Sequence, residues 1–569
     1  MTHRAALCLA TTIIFAVPVV RALLWHPLSI SEVTLSEKFA RVSGLAHVHT
    51  TYSDGSGTLE DVQLAAAASN ADFLIVTDHN TLSGKAKEGY NDTGLLTIIG
   101  SEISINEGHI LAVGLPVQPY RFSADGLDTL EDIHGSHGLA FAAHPEHPRN
   151  GLRWTGWELP GDWGIEVVNG DTQWRTAGLI NLVFSTLMYP FNPTYALLRL
   201  MSRPSALQAW DQTLHTRHTT ALAGADAHGP QQIAGPLRLP LPSYKTLFGL
   251  VKNHVLIDQP LSGSAVPDID AILNALRQGR SYIGIDGLAS ADRFYFVAES
   301  EGRTGTMGET FAPANDLLLK AGGALPAAAI VRLLRNGQEV AASPPPLELS
   351  TSETGVYRIE VDLPGWPIPW ILSNPIYIFG EQTQNKRAQA SRMPDPIERQ
   401  AAIILDNFET GTTFETVSDE TSTVNSLTTT PGSGPDGSFA AHIDFELGTP
   451  TPDNPSPFAS LVSNGTRNLS SFQGLVFSVK SDRTYRFTLQ LRDKNTRAPE
   501  QREIWSASVK STATWTQVTL PFSRLRSVSP QTDGRFDPDA TEAIVFLVDL
   551  GGVAPGTAGT IWIDNLGVY

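Results

Sequence analysis

Between Gly44 and about Pro230 the chain repeats one pattern: a short apolar run ending in His, Asp or Glu, then a polar loop, then a helical stretch. The runs are Leu45 to His49, Phe73 to His79, Leu96 to Glu102, His109 to Gly114, Leu139 to His144, Ile165 to Asn169 and Ala221 to His228. Strands alternating with helices predict an α/β fold, and seven runs predict a seven-stranded (β/α) barrel. A parallel barrel carries its chemistry at the strand ends, where these polar residues fall. Thr58-Leu59-Glu60-Asp61 reads as a capping box opening an alanine-rich helix to about Ser69.

The first run holds His47-Val48-His49, two imidazoles two residues apart and so on one face of a strand end, followed by Asp54 on the next loop. Neutral imidazole is the commonest transition-metal ligand. The pair is followed in order by Asp78-His79, Glu102, Gly108-His109, His144-Pro145 and Asp226-Ala227-His228. That succession over about 185 residues resembles the PHP (polymerase and histidinol phosphatase) superfamily of metallohydrolases. The resemblance implies a distorted seven-stranded barrel and nine metal ligands: His47, His49, Asp54, His79, Glu102, His109, His144, Asp226 and His228. It further implies that Glu102 bridges two metals, that His47 and His49 share a site with Asp226, and that Asp54 and His79 share one with His228.

Three divalent ions, manganese, zinc or iron, are the implied cofactors; this donor set does not choose among them. Three such ions and three carboxylates leave about +3 at the site, which suits an anionic substrate. The expected reaction is therefore phosphoester hydrolysis by a metal-bridging hydroxide in a trinuclear site. His109, His144 and His228 are the expected catalytic histidines, one of them protonating the leaving oxygen. Arg149 and Arg153 are candidate phosphate clamps, His147 and Glu166 candidate supports for the ligands. The stretch Thr50 to Gly55 together with the N-terminus and the insertion before Gly224 is similar to the exported branch that includes carbaryl hydrolases. That likeness implies carboxylic or carbamate ester hydrolysis as an alternative. A non-enzymatic glycan- or surface-binding protein is the third reading.

Other segments set the surroundings. An apolar run from Ala5 to Val20, within residues 1–30, reads as an export signal or membrane anchor and predicts a periplasmic, extracellular or membrane-anchored protein. The barrel is expected over 40–260, with an apolar helical insertion at 173–215 that either packs on the barrel or inserts shallowly into a membrane surface. A helix over Asp268 to Gln278, closed by Gly279, leads into a small β-sandwich to about 380, with a hairpin turn at Asn336-Gly337; residues 381–400 read as a linker.

Beyond 401 the alternation of Leu475, Phe477 and Val479 with polar residues predicts a β jelly roll. It resembles a carbohydrate-binding module, implying a glycan partner and a structural calcium at Asp406, Glu409 and Asp564. Trp505 and Trp515 would either stack on sugar or lie in the core. The formal charge of -18 and the lack of Lys/Arg runs argue against nucleic acid as the main partner. The single cysteine, Cys8, rules out an internal disulfide or a thiolate site in the folded part.

Overall fold

The apolar runs become strands whose side chains are buried on both faces, which is why they read as continuous rather than alternating: Phe73–Val76, Leu96–Ile99, Leu139–Ala142 and Ala221–Gly224 bury every residue. The computed structural model describes residues 16–30, 38–117, 120–229, 232–234, 237–238, 242–425, 428–430, 433–498 and 500–569. The part of the apolar N-terminal run before residue 16 lies outside them. Two units result, one of residues up to Pro116 with Leu130–Met393, the other of Val117–Thr129 with Pro394–Tyr569.

In the first unit Ala40–Leu45, Phe73–Val76 and Leu96–Ile99 run parallel to one another. The chain then leaves this sheet at Gly100, where a Cβ would lie 2.4 Å from the Ala112 carbonyl oxygen. A second sheet follows in the order Ser101–Ile105, Gly108–Val113, Leu139–Ala142, Gly164–Asn169 and Ala221–Gly224. Gly108–Val113 is antiparallel to both neighbours. The fold is thus mixed α/β, and the expected ring of seven strands is not formed as one hydrogen-bonded sheet. The antiparallel strand and the switch at Gly100 break the parallel repeat. Isolated bridges, Val48 to Ala227 and His79 to Glu102, and the Asn253 side chain bonded to both backbone polar groups of Ala223 hold the two sheets together.

The first sheet continues far beyond these three strands. Lys252–Ile257 pairs antiparallel with Ala40–Leu45, Ser281–Gly284 pairs with Lys252–Ile257, and Ile371–Ser373 and Gly355–Asp362 extend the same sheet. The segment read as a small sandwich is therefore hydrogen-bonded in part into this first sheet, alongside a separate four-stranded sheet that includes Phe294–Ser300 and Leu318–Gly323. Helix Ala265–Arg277 buries Ile269, Ile272, Leu273 and Leu276, one helical stripe, and joins Val42, Phe73, Leu96 and Val255 in a single core. Residues 381–400 begin with a helix, Glu381–Ala390, whose buried Arg387 donates to the carbonyls of Leu214, His215 and Arg217. Asn336 and Gly337 both have positive φ, as the two-residue hairpin turn requires.

The second unit is a sandwich of two antiparallel sheets. One includes Ala440–Glu446, Ala558–Val568 and Gly474–Ser481; the other includes Phe458–Arg467, Thr541–Asp549, Tyr485–Lys494 and Arg502–Ser511. Leu475, Phe477, Phe487, Leu489 and Leu491 meet between them. Residues 117–129 belong to this unit through polar contacts: Arg524 Nη2 donates to Asp128 Oδ1 at 2.7 Å, and buried Arg486 donates to the Asp128 carbonyl at 3.1 Å.

One buried ion cluster in the first unit makes the fold sensitive to base. His254 stacks on Tyr282 at 4.8 Å, with Nε2 2.9 Å from Asp286 Oδ1 and Nδ1 3.2 Å from Asp292 Oδ1. Burial pushes this imidazole down, but the carboxylates of Asp286 and Asp292 outweigh it and raise it to about 9. A raised pKa stabilises the fold below the unfolded value near 6.5, and the contribution is lost as pH climbs through about 9. The free energy of unfolding should therefore fall between pH 6 and pH 10 by roughly 3 kcal/mol more in the native chain than in a His254→Gln variant; equal losses would refute the imidazolium assignment.

Candidate metal centre

The loop after Ala40–Leu45 and the loop after Ala221–Gly224 are built alike. Val48 bridges Ala227 in parallel, and the Ala225, Ala227 and His49 amides donate to the carbonyls of Ala46, His47 and Ala227. His47 and Asp226 occupy matching places, and both have left-handed φ, 58° and 47°. The strand ends at Leu45, before the two histidines, so this local turn brings the His47 and His49 rings together, centroids 5.1 Å apart. Gly224 is required here: a Cβ would stand 1.6 Å from Glu166 Oε1 and 2.7 Å from His47 Cβ. Buried Asp78 fixes the following loop by accepting from the Thr50 amide at 2.8 Å, Thr50 Oγ1 at 2.8 Å and Ser53 Oγ at 2.6 Å. Tyr244 adds a hydroxyl bond to the His49 carbonyl at 2.9 Å.

Glu102 sits at the middle, almost completely buried. Its Oε2 lies 3.1 Å from His47 Nε2, 3.2 Å from His49 Nε2 and 3.3 Å from His79 Nδ1. Its Oε1 lies 2.6 Å from His109 Nδ1 and 2.8 Å from His144 Nε2. Asp226 Oδ1 is 3.4 Å from His47 Nε2 and 3.5 Å from His49 Nε2. Asp54 closes the outer side, 3.3 Å from His228 Nε2 and 3.6 Å from His79 Nε2. All nine residues singled out in the sequence are thus in one cluster.

A ring of acceptors behind the cluster orients the imidazoles. Glu166 Oε1 takes His47 Nδ1 at 2.8 Å, the Leu152 carbonyl takes His144 Nδ1 at 3.1 Å, and the Asp226 carbonyl takes His228 Nδ1 at 3.2 Å. With Nδ1 donating, each Nε2 presents a lone pair inward, the arrangement a metal ligand needs. Glu166 Oε2 also accepts the His144 amide at 2.6 Å, and Asn169 Nδ2 donates to Glu166 at 3.0 Å and to Asp226 Oδ2 at 3.1 Å.

The electrostatics are those of a site that calls for cations. Burial pushes His47 down, but Asp226, Glu166 and Glu102 hold it well above its ordinary value. Burial likewise lowers His49, whereas Asp226 and Glu102 raise it to about 9. Burial would raise Glu102, yet His47, His109 and His144 hold it well below the usual carboxylate range. Both nitrogens of His49 are buried with no hydrogen-bond partner despite the close carboxylates, a costly state for an imidazole unless another species binds there. Four overlapping sets of donors lie within 4.8 Å of one another and could hold metal ions: His49, Asp54, His79 and His228; His47, Glu102 and His144; His47, His49 and Asp226; His79, Glu102 and His109.

The remaining candidates fall differently. His147 is buried beside His144, ring centroids 5.4 Å apart, with Nε2 3.4 Å from Asp171 Oδ2. Arg153 gives its Nε to the His147 carbonyl at 3.1 Å. Among the described residues no contact joins the exposed Arg149 or Arg153 guanidinium to the nine side chains. Sequence reasoning gave no role to Asn169, Asp78 or Tyr244; the first two stand inside the runs and could have been suspected, while Tyr244 carries no signal.

In the sandwich, Trp505 is core, giving its Nε1 to Asp493. Trp515 is half-buried with the Lys480 ammonium 5.5 Å from its ring. Asp406 accepts from Thr412 Oγ1 at 2.6 Å, Glu409 from the Phe439 amide at 2.9 Å and Asp564 from Ser438 Oγ at 3.0 Å. Among the described residues these three acids do not bring their carboxylate oxygens together within 4.8 Å as one cluster.

The family model for Complex I intermediate-associated protein 30 (CIA30) matches residues 418–556. No curated protein matches the chain. Among solved structures, a family 11 carbohydrate-binding module from Clostridium thermocellum in complex with a β-1,3-1,4-mixed-linked tetrasaccharide is 20% identical, covering 29% of this chain and 93% of that one, with a TM-score of 0.24. A family 30 carbohydrate-binding module of a cellulosomal cellulase from the same organism is 16% identical over 25% of this chain and 81% of that one, TM-score 0.20. A two-domain protein from Bacteroides vulgatus containing a predicted PHP-like metal-dependent phosphoesterase is 14% identical over 61% of this chain and 99% of that one, TM-score 0.30. Likeness at this level carries no chemistry, which here rests on the side chains themselves.

Glu166 gives that chemistry a test away from the donors. Removing it in Glu166→Ala frees His47 to rotate and leaves the His144 amide unpaired, so affinity for added manganese or zinc should fall about 10- to 100-fold. Elemental analysis after equilibrium dialysis, with circular dichroism to verify folding, measures this; undiminished binding would remove Glu166 from the site.

Proposed function

We propose that this chain is a metal-dependent hydrolase of the PHP type, acting on phosphoesters. The observation that carries the reading is the convergence of six imidazoles and three carboxylates around buried Glu102, with neither His49 nitrogen in a hydrogen bond. His47, His49 and Asp226 would hold one divalent ion, and Asp54, His79 and His228 another. Glu102, His109 and His144 would complete a third position. Such ions supply Lewis acidity and a lowered pKa for bound water.

The chain's own residues account for the rest. Asp54 is about half exposed, its side chain at 55%, while His47, Glu102 and His144 are sealed, so substrate would approach over Asp54, His79 and His228. His109, His144 and His228 are the candidates to pass a proton to the leaving oxygen. Arg149 and Arg153, on the loop after His144-Pro145, would steer the phosphate. The apolar run from Ala5 to Val20 supports an exported or membrane-anchored location.

Protein stripped of metal and reloaded with manganese or zinc should hydrolyse members of a panel of phosphomono- and diesters. His79→Ala and Asp226→Ala should each lower kcat/KM by at least about 1000-fold without altering the circular dichroism spectrum. Silence on the whole panel with metal bound would sink the phosphoesterase reading. Turnover of aryl esters or carbamates instead would move the chemistry to acyl transfer.

A further inference from the structure

The first unit carries an apolar surface that the site does not use. Residues 176–198 contain no charged side chain, and within them helix Leu179–Met188 turns Leu179, Ile180 and Val183 to solvent, the first two 76% and 71% exposed. Phe191 continues this surface. The opposite side of the helix is occupied: Met188 packs with Ala22 and Ala196, and Asn192 Nδ2 donates to the carbonyls of Ala22 and Trp25 at 3.0 and 3.1 Å. Residues 16–24, themselves helical, thereby lie against the insertion, and they too leave apolar side chains outside, with Leu24 74% exposed and Leu23 59%. Two segments more than 150 residues apart in sequence therefore place exposed apolar side chains side by side. Isolated exposed leucines are ordinary, but contiguous ones on adjoining helices mark a docking surface.

We propose that this face rests on a lipid bilayer. Three observations favour lipid over a second copy or another protein. The helix at 16–24 continues the uncharged apolar run from Ala5 to Val20, so the face adjoins a stretch of chain whose composition partitions into a bilayer. Trp25, Tyr195 and Trp366 cluster beside it, with ring centroids 5.2, 5.7 and 5.9 Å apart, and amphipathic aromatics of this kind concentrate at headgroup level. Arg199 lies 5.4 Å from the Trp366 ring and Arg21 is exposed on the 16–24 helix, cations placed for lipid phosphates. Among the described residues no helix is long and apolar enough to cross a membrane, and the proposal needs none: side chains of this length enter the headgroup and upper acyl region only. The proposal stands on the surface alone and does not depend on the hydrolytic reading.

Because Cys8 is the only cysteine, a Cys8→Ser background makes single-site labelling direct. The full chain carrying an environment-sensitive fluorophore at Ile180→Cys, Leu23→Cys or, as control, Glu353→Cys would be mixed with vesicles of phosphatidylcholine and phosphatidylglycerol, with and without brominated acyl chains. The expected result is a blue shift and at least about twofold quenching by bromine at positions 180 and 23, with no change at 353. Three results would overturn it: no association with vesicles; association through the N-terminal run while the probe at 180 stays in water; or a probe at 180 that is already protected without lipid in a particle of twice the chain's mass by light scattering. Hydrolysis of a soluble substrate by Ile180→Cys should equal that of the parent, so loss of lipid contact and failure of the catalytic reading are separately visible.

Discussion

A carboxylate removed from water survives in its ionised form only among positive or hydrogen-donating partners, and Glu102 meets this condition with five imidazoles within 3.3 Å. Those imidazoles come from four loops or strands distributed between His47 and His144, so the requirement of one side chain dictates where four parts of the backbone must end. Glu102 itself is placed by the switch between sheets: Gly100 turns the chain, the Glu102 amide bonds the Thr77 carbonyl, and His79 bridges to it. The switch from one sheet to the other and the centre of the cluster are thus the same event in the chain.

That placement carries local strain. His47, His144 and Asp226 all sit at positive φ, at a cost on the order of 1–3 kcal/mol each for residues with a Cβ. The compensation is backbone hydrogen bonding between the 46–49 and 225–228 loops and the carboxylate of Glu166, which holds His47 by its ring and His144 by its amide. Gly224 supplies the room Glu166 occupies. Orientation is fixed from behind, and the inward nitrogens are left for whatever enters.

How much of this could be read from the sequence depends on the range of the interaction. The nine clustered residues were legible because they stand in short apolar runs or, like Asp54, on the loop just after one, and the capping box was legible because Thr58 and Asp61 satisfy each other within one turn. Pairing between distant strands was not. Nothing in Gly355–Asp362 announces that it shares a sheet with Ala40–Leu45, since the register is set through intermediates such as Ile371–Ser373. The polar composition of 381–400 likewise hides a helix whose one buried side chain, Arg387, finds three carbonyls at the end of another helix. Trp505 shows the limit from the other side: a strand aromatic that could have faced sugar turns inward because Asp493 is there to take its indole proton.

The distribution of burial around the cluster then constrains how it can work. Ligand-bearing loops pinned by buried acceptors cannot rearrange cheaply, because each withdrawn acceptor leaves an unsatisfied polar group at about 1–3 kcal/mol. Asp54 is the exception. It is held at about 2 by His228, His49 and His79 against the opposing effect of burial, yet its side chain remains about half in solvent on a loop secured mainly by the bonds of Thr50 and Ser53 to Asp78. The interior of the cluster is sealed, and solvent meets it only along Asp54 with the partly exposed His79 and His228. The same architecture that keeps Glu102 ionised therefore also decides from which direction the site can be reached.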